Sequence, residues 1–346
     1  MTFQNVGIVG AGSWGTALAL LLHENGLPLT LWGHEPAHIA KMRRTAENTP
    51  YLPGVALPQT WNLTSELDDL AACDLVLLVT PSKAMREVVA RLSTTALRTD
   101  AVLLSCTKGV ERGSGLRMSE IIIESFPRNA VAVLSGPSHA EEVARQMPTA
   151  VVLGAADAAV AHRLQQAFST KFFRAYTHDD VAGIELGGAL KNIFALAAGI
   201  SDGLSLGDNS KAALVTRSLA ELIRLGTALG GRRETFQGLS GLGDLMVTCF
   251  SRHSRNRAVG ERLGRGETLA AIISTMNMVA EGVPTTYSAH ECAMRLGIST
   301  PIIDQMRQLL DGALAPREVL GNLLSREPKS EAEVWPAAES GSPANS

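Results

Sequence analysis

The stretch "VGIVGAGSWGTALALLL", Val6 to Leu22, constrains the fold more than any other part of the chain. A short apolar run of strand length is followed by Gly10, Gly12 and Gly15 in the spacing G-x-G-x-x-G, and then by a run of helix formers. Strand, tight turn and helix in that order open a parallel α/β unit. The glycines permit the turn and let backbone N–H groups approach a pyrophosphate at the positive end of the helix. The bare spacing is weak, but the strand before it and the helix after it make a dinucleotide the expected ligand. A glycine-rich turn without ligand is the competing reading.

The first half of the chain repeats this alternation. Candidate strands at 6–9, 29–32, 75–79, 102–105, 131–134 and 151–153 alternate with helical patterns, and "KFFRAYT" adds one more. Their all-apolar character fits strands covered on both faces. We therefore predict a Rossmann-type, doubly wound parallel sheet over residues 1–180. After about Asp180 the texture changes to helical patterns at 183–199, 210–229, 256–263, 284–296 and 301–310, separated by glycine and proline. An all-α second domain is expected over 181–326. Residues 327–346, rich in Pro, Ser, Ala and Glu, are expected to form a disordered tail.

Composition narrows the partners. With 45% hydrophobic residues, 19% charged and a net charge of −3 over 346 residues, the chain reads as a globular protein large enough for two domains. That charge gives no bulk reason to expect nucleic acid or an anionic membrane. Cys73, Cys106, Cys249 and Cys292 are widely spaced and form no metal-ligand pattern, which suits a reduced, cytoplasmic setting. The first apolar run lacks a basic leader and is interrupted by glycines, so it is not read as a signal peptide. No later run approaches the ~20 uninterrupted apolar residues of a membrane span. A soluble protein, and a homodimer, are expected.

"GGALKNIFALAAG", Gly187 to Gly199, sets one lysine in a small or apolar helix. Neighbours three and four residues away on a helix share a face, which places Gly187, Gly188, Ala195 and Gly199 beside Lys191. Leu186, Leu190, Ile193, Phe194 and Ala197 are core-directed. Consecutive glycines cost helix stability, so they imply close approach of a ligand or of another backbone. The bland reading is a lysine whose stem covers apolar surface while its head reaches water.

The second strand, "LTLWGHEP", should end near the adenosine ribose, where an acid favours NAD and basic neighbours suit a 2′-phosphate. His34 and Glu35 lie side by side there, with Arg43 and Arg44 on the next helix. The balance tilts toward NADP and leaves NAD open. Three later strands end in polar or turn residues, at Thr80 to Lys83, Thr107 to Gly109 and Gly136 to His139, and ligands gather at such strand ends. Ser138 and Glu141 also have capping-box spacing. Lys108 is either a ligand contact or an exposed loop lysine.

A second constellation is "GLSGLGDLMVTCFSRHSRNRAVGERLGRG". Asp244 follows a glycine-rich turn and reads locally as an N-cap. Arg255, flanked by Ser254 and Asn256, opens a helix. No aromatic platform is interleaved, so a nucleic-acid patch is disfavoured. Guanidinium, hydroxyl, amide and helix N-terminus together suit one small phosphate.

With these residues in view, the chain closely resembles the bacterial NAD(P)-dependent glycerol-3-phosphate dehydrogenase family over essentially Val6 to Leu324. The anchors are "GAGSWGTALA", "WGHEP", "SCTKGVE", "LSGPSHAEEVA", "ELGGALKNIFALAAGISDGL", "GLSGLGDLMVTC", "SRNRAVG" and "AEGVPTT". The resemblance implies interconversion of sn-glycerol 3-phosphate and dihydroxyacetone phosphate, usually in support of glycerophospholipid synthesis. It also implies that Ser13, Trp14, His34, Ala140, Val279 and Glu281 touch the cofactor. Lys108, Gly136, Ser138, Asp244, Ser254, Arg255 and Asn256 would surround the substrate, with Lys108 and Arg255 also reaching the cofactor. Lys191 stands at the position of the family's catalytic lysine. On this reading, the small residues beside Lys191 leave room for substrate and nicotinamide. The neighbouring alternative is a two-domain reductase of a 2-keto or 3-hydroxy acid, and the more distant one a dinucleotide sensor without turnover.

Overall fold

In the computed structural model, which describes residues 2–276, 279–325, 327, 330 and 331, ten strands precede the first long helix. They are β1 (Val6–Val9), β2 (Leu29–Trp32), β3 (Glu47–Asn48), β4 (Leu52–Ala56), β5 (Asn62–Thr64), β6 (Leu75–Leu78), β7 (Val102–Ser105), β8 (Val131–Ser135), β9 (Thr149–Ala155) and β10 (Phe173–His178). Between them lie α1 (Ser13–Glu24), α2 (Pro36–Thr45), α3 (Met85–Leu92), α4 (Met118–Ser125), α5 (Ala140–Val143) and α6 (Ala158–Phe168). Eight strands form one sheet in the order β10-β9-β8-β7-β6-β1-β2-β5, while β3 and β4 form a separate hairpin.

The sheet is apolar because both faces are covered. In β6, Leu75 and Leu77 join the core on one face, and Val76 and Leu78 join the core on the other. Each such side chain contributes about 1.5–3 kcal/mol on burial. Strand order reverses at β1, flanked by β6 on one side and β2 on the other, and ligands of open α/β sheets lie at the carboxyl ends beside such a reversal.

The sheet differs from an all-parallel expectation at one junction, since β8 and β9 pair antiparallel. The cause is the connection between them. Its only helix, α5, is a single turn, too short to carry the chain back across the sheet, so residues 136–148 stay at the carboxyl edge. β5 extends the sheet beside β2, and neither it nor the β3–β4 hairpin carries a hydrophobic pattern long enough to announce itself.

From Val181 onward the described residues form helices only: α7 (Val181–Gly203), α8 (Gly207–Ala228), α9 (Arg233–Phe236), α10 (Asp244–Phe250), α11 (Arg255–Gly264), α12 (Leu269–Ser274), α13 (Gly282–Leu296), α14 (Pro301–Leu310) and α15 (Pro316–Leu324). A five-residue π-helical turn, Leu239–Gly243, leads into α10. The tail expected at 327–346 lies largely outside the described residues.

α7 is the axis of this half. It is long and apolar enough to cross a membrane by length and composition, yet 89% of its most apolar stretch is buried by its neighbours. Its glycines admit other backbones. A Cβ on Gly187 would stand 2.6 Å from the Ser240 carbonyl oxygen, and one on Gly199 would stand 2.0 Å from that of Arg257. Gly188 faces the Ser135 hydroxyl at 2.3 Å in the same sense. The small residues beside Lys191 are therefore filled by the chain itself, which corrects the expectation that they hold space for ligand. Glu185, on the same helix, accepts from the backbone N–H of Ser119 at 2.9 Å and from its hydroxyl, tying α7 to α4.

Candidate active site

A cleft of about 650 Å³ opens along the carboxyl edge of the sheet and is closed on its far side by α7, α10, α11 and the start of α13. Its floor at one end is the glycine loop. Gly10 has φ +132°, and a Cβ there would stand 2.4 Å from the Val79 carbonyl oxygen. A Cβ on Gly15 would meet the Gly10 carbonyl oxygen at 1.9 Å, whereas one on Gly12 would meet nothing within 4 Å. Gly10 and Gly15 thus let the turn and helix close on the strand, and Gly12 turns a bare backbone toward open space at the start of α1. That cradle fits a dinucleotide pyrophosphate. Ser13, Trp14, His34, Ala140, Val279 and Glu281 all line the same cleft.

At the other end, three charged side chains from three elements meet. Lys191 Nζ donates to Asp244 Oδ1 at 2.8 Å and to Thr248 Oγ1 at 2.6 Å. Lys108 Nζ donates to the other carboxylate oxygen, Asp244 Oδ2, at 2.6 Å and to the Gly136 carbonyl at 3.0 Å. Asp244 bridges two ammonium groups and is almost fully buried. Burial works against its charge, but Lys108 and Lys191 more than compensate and hold its carboxyl below the ordinary carboxylate range. Lys191 is pulled the other way. Burial, aided by the like charge of Lys108 and opposed by Asp244, brings its ammonium down to about 8. One carboxylate against two lysines leaves a net positive charge, suited to an anionic ligand and to charge developing on oxygen.

The backbone places these groups. Lys108 follows β7, Lys191 sits mid-α7, and Asp244 is the first residue of α10 after Gly243, so it is not the N-cap that its position after a glycine turn suggests. Gly136, at φ +138° after β8, aims its carbonyl at Lys108. Gly136 and Asp244 stand behind the lysines and do not line the cleft themselves, whereas Lys108, Lys191, Ser138, Ser254, Arg255 and Asn256 do.

Ser138 donates its hydroxyl to the Gly136 carbonyl at 3.0 Å, and His139 is the N-cap of α5, so the capping box read at Ser138 and Glu141 does not form. Ser254 does cap α11, accepting from the Arg257 N–H at 3.2 Å. Asn256 is held by two neighbours: it donates to Asn192 Oδ1 at 2.9 Å and accepts from the Gly282 N–H at 2.8 Å. Arg255 is exposed and donates to the Val279 carbonyl at 3.2 Å. Glu281 accepts from the Ser82 N–H at 2.9 Å and from its hydroxyl at 2.5 Å, strapping the loop after β6 to the start of α13.

Several lining residues were not anticipated. Thr248 stands four residues after Asp244 on one helix, a spacing that would have found it once Asp244 was chosen. His139 lies in the strand-end segment 136–139 that the sequence marked for ligand without singling it out, its ring centroid 5.7 Å from that of His253, which had no local signal, and Tyr51 comes from the unforeseen hairpin region. Burial, reinforced by Lys191, lowers the His139 pKa from its ordinary range. Arg43 and Arg44 do not line the cleft. Among the described residues no group of three or more His, Cys, Asp or Glu is placed to hold a metal ion.

Comparison with known proteins agrees across nearly the whole chain. Residues 5–161 match the N-terminal model, and residues 180–321 the C-terminal model, of NAD-dependent glycerol-3-phosphate dehydrogenase. A glycerol-3-phosphate dehydrogenase [NAD(P)+] from Syntrophotalea carbinolica is 48% identical over 332 residues, covering 95% of this chain and 99% of the relative. The crystal structure of glycerol-3-phosphate dehydrogenase from Coxiella burnetii superposes with a TM-score of 0.90 at 38% identity, covering 93% of this chain and 99% of that one. A ketopantoate reductase from Ralstonia eutropha, at 16% identity and a TM-score of 0.61 over 92% of this chain and all of that one, shares the fold alone. The chain belongs to the NAD-dependent glycerol-3-phosphate dehydrogenase family.

Proposed function

We propose that the chain reversibly reduces dihydroxyacetone phosphate to sn-glycerol 3-phosphate, with Lys191 as the general acid and base. The observation that carries this reading is the buried Lys108–Asp244–Lys191 bridge at one end of a cleft whose other end is the glycine loop. Residues 1–180 would hold the cofactor and residues 181–326 would complete the substrate site.

When bound, NAD(P)H supplies the hydride. The negative charge that then develops on the ketone oxygen is stabilised by the Lys191 ammonium, which donates its proton to that oxygen as the alcohol forms. In the reverse direction the neutral Lys191 amine takes the alcohol proton. A lysine near pH 8 serves both directions, where an ordinary one near ~10.4 would remain charged. Asp244 orients both lysines. Arg255, with the Ser254-capped start of α11, binds the phosphate and fixes the reacting carbon against the cofactor. Lys108 faces the substrate, with Gly136 behind it, while Ser138 and Asn256 close the wall. Gly10, Gly12 and Gly15 admit the pyrophosphate, and Ser13, Trp14, His34, Ala140, Val279 and Glu281 line its path.

Initial rates of NADPH and NADH oxidation with dihydroxyacetone phosphate, beside unphosphorylated dihydroxyacetone, test the proposal. Turnover that requires the phosphate is expected. Equal rates with both ketones, or none with either cofactor, would overturn it. A cytoplasmic setting, supply of glycerophospholipid synthesis and a homodimer complete the proposal, and sedimentation of the purified chain tests the last.

A further inference from the structure

The wall of the cleft beyond β2 holds a cation that the chemistry above leaves unused. Arg91, in the last turn of α3, lines the cleft together with Trp32, His34 and Glu35. Its guanidinium lies 5.8 Å from the centre of the Trp32 ring, which is itself fixed by donating Nε1–H to the Ser65 carbonyl at 2.9 Å. Among the described residues no carboxylate pairs with Arg91. Resting on the cofactor reading above, we propose that Arg91, with His34 beside it, grips the 2′-phosphate of NADPH and makes the chain prefer NADPH over NADH.

Three features converge on that assignment. First, β2 ends at Trp32 and is followed by Gly33, so no carboxylate stands at the strand tip, where an acid accepts the ribose hydroxyls of NAD. The acid that follows, Glu35, lies 3.4 Å from His34 Nε2. Second, the arginines on α2 are elsewhere: Arg43 donates to the Leu63 carbonyl, and neither it nor Arg44 reaches the cleft. The cation arrives instead from α3, the helix after β6, on the other side of the strand-order reversal. Third, the Arg91 guanidinium, 5.8 Å from the centre of the indole ring and paired with no carboxylate among the described residues, has a planar fork of N–H groups to offer, the geometry that a phosphate accepts and a lone hydroxyl does not reward. Glu35 and Glu87 share this wall, so recognition depends on the directed fork of Arg91 and not on a diffuse positive field.

The test is binding, read by nicotinamide fluorescence on the full chain without substrate. NADPH and NADH are titrated against wild type, Arg91→Ala and Arg91→Lys, and displacement by adenosine 2′,5′-bisphosphate is compared with that by adenosine 5′-monophosphate. Wild type is expected to bind NADPH the tighter. Arg91→Ala should lose about tenfold or more for NADPH while NADH changes less than about twofold, with Arg91→Lys between, as expected for a charge-assisted bidentate contact. Displacement by the bisphosphate should weaken in parallel. Equal weakening of both dinucleotides, no weakening, or a wild type that prefers NADH overturns the assignment. A folded wild type that binds neither dinucleotide would overturn the cofactor reading as well, an outcome distinct from loss of preference alone.

Discussion

The two ends of the cleft are made of different materials. The glycine-loop end is built from backbone: Gly10 and Gly15 allow the turn, and Gly12 bares it. The lysine end is built from side-chain charge, with Lys191 and Asp244 buried and Lys108 partly buried, joined across 136 and 53 residues of sequence. The first end fails by steric intrusion and the second by loss or mispairing of charge. Substitutions at the two ends should accordingly separate binding from chemistry.

The largest effect is expected for Lys191→Ala. Turnover should fall by about a thousandfold or more, since acid–base and electrostatic roles are lost together. Dinucleotide affinity, followed by fluorescence, should change little. A variant retaining more than about a tenth of wild-type kcat would erase the division between the two ends. Gly10→Ala is the opposite experiment. A side chain at φ +132° and 2.4 Å from a carbonyl oxygen forces the loop to shift, at about 1–3 kcal/mol of strain. Dinucleotide binding should weaken by more than about tenfold and the denaturation midpoint should fall. Unchanged binding would mean that the loop is not read by its backbone.

This division also explains what the sequence disclosed. β1, β2 and β7 have the expected bounds, because a strand covered on both faces is a continuous apolar run between turn residues. The glycine loop was legible because its function is local. In its own helix Lys191 stood out as an oddity whose role came only from the family resemblance, and its partner Thr248 not at all, because their meaning depends on α7 and α10 being packed together. The glycines around Lys191 were misread in physical terms: a missing side chain marks close approach, but sequence does not say of what, and here it is the backbone of the turn before α10 and of α11. The antiparallel β9 escaped notice because direction is set by how little helix lies between strands, not by the strand itself.

A smaller effect sharpens the lysine end. Arg255 is exposed and among the described residues donates to the Val279 carbonyl, from which it can turn to a phosphate. Arg255→Ala should raise KM for dihydroxyacetone phosphate by about tenfold to a hundredfold, the cost of one or two charge-assisted hydrogen bonds, with a smaller change in kcat. Unphosphorylated dihydroxyacetone serves as the control, since its poor turnover should not worsen. An unchanged KM would remove Arg255 from the phosphate site.

The gentlest perturbation is pH, at tenfold per unit. Reduction needs the Lys191 ammonium, so log kcat/KM should be level below about pH 8 and fall with unit slope above it. Oxidation needs the amine, so the same quantity should rise with unit slope up to about pH 8 and level above it. The neighbours that face Lys191 fix how the break should move. Asp244 raises the lysine's pKa and Lys108 lowers it, so Asp244→Asn should shift both breaks to lower pH and Lys108→Met to higher pH. His139 is depressed below its ordinary range and stays neutral here, and burial pushes the Cys249 thiol up to about 12, so neither supplies a competing break near pH 8. Breaks that move together in the directions set by those two charges would identify the titrating group as Lys191. Breaks indifferent to both substitutions would place the proton elsewhere.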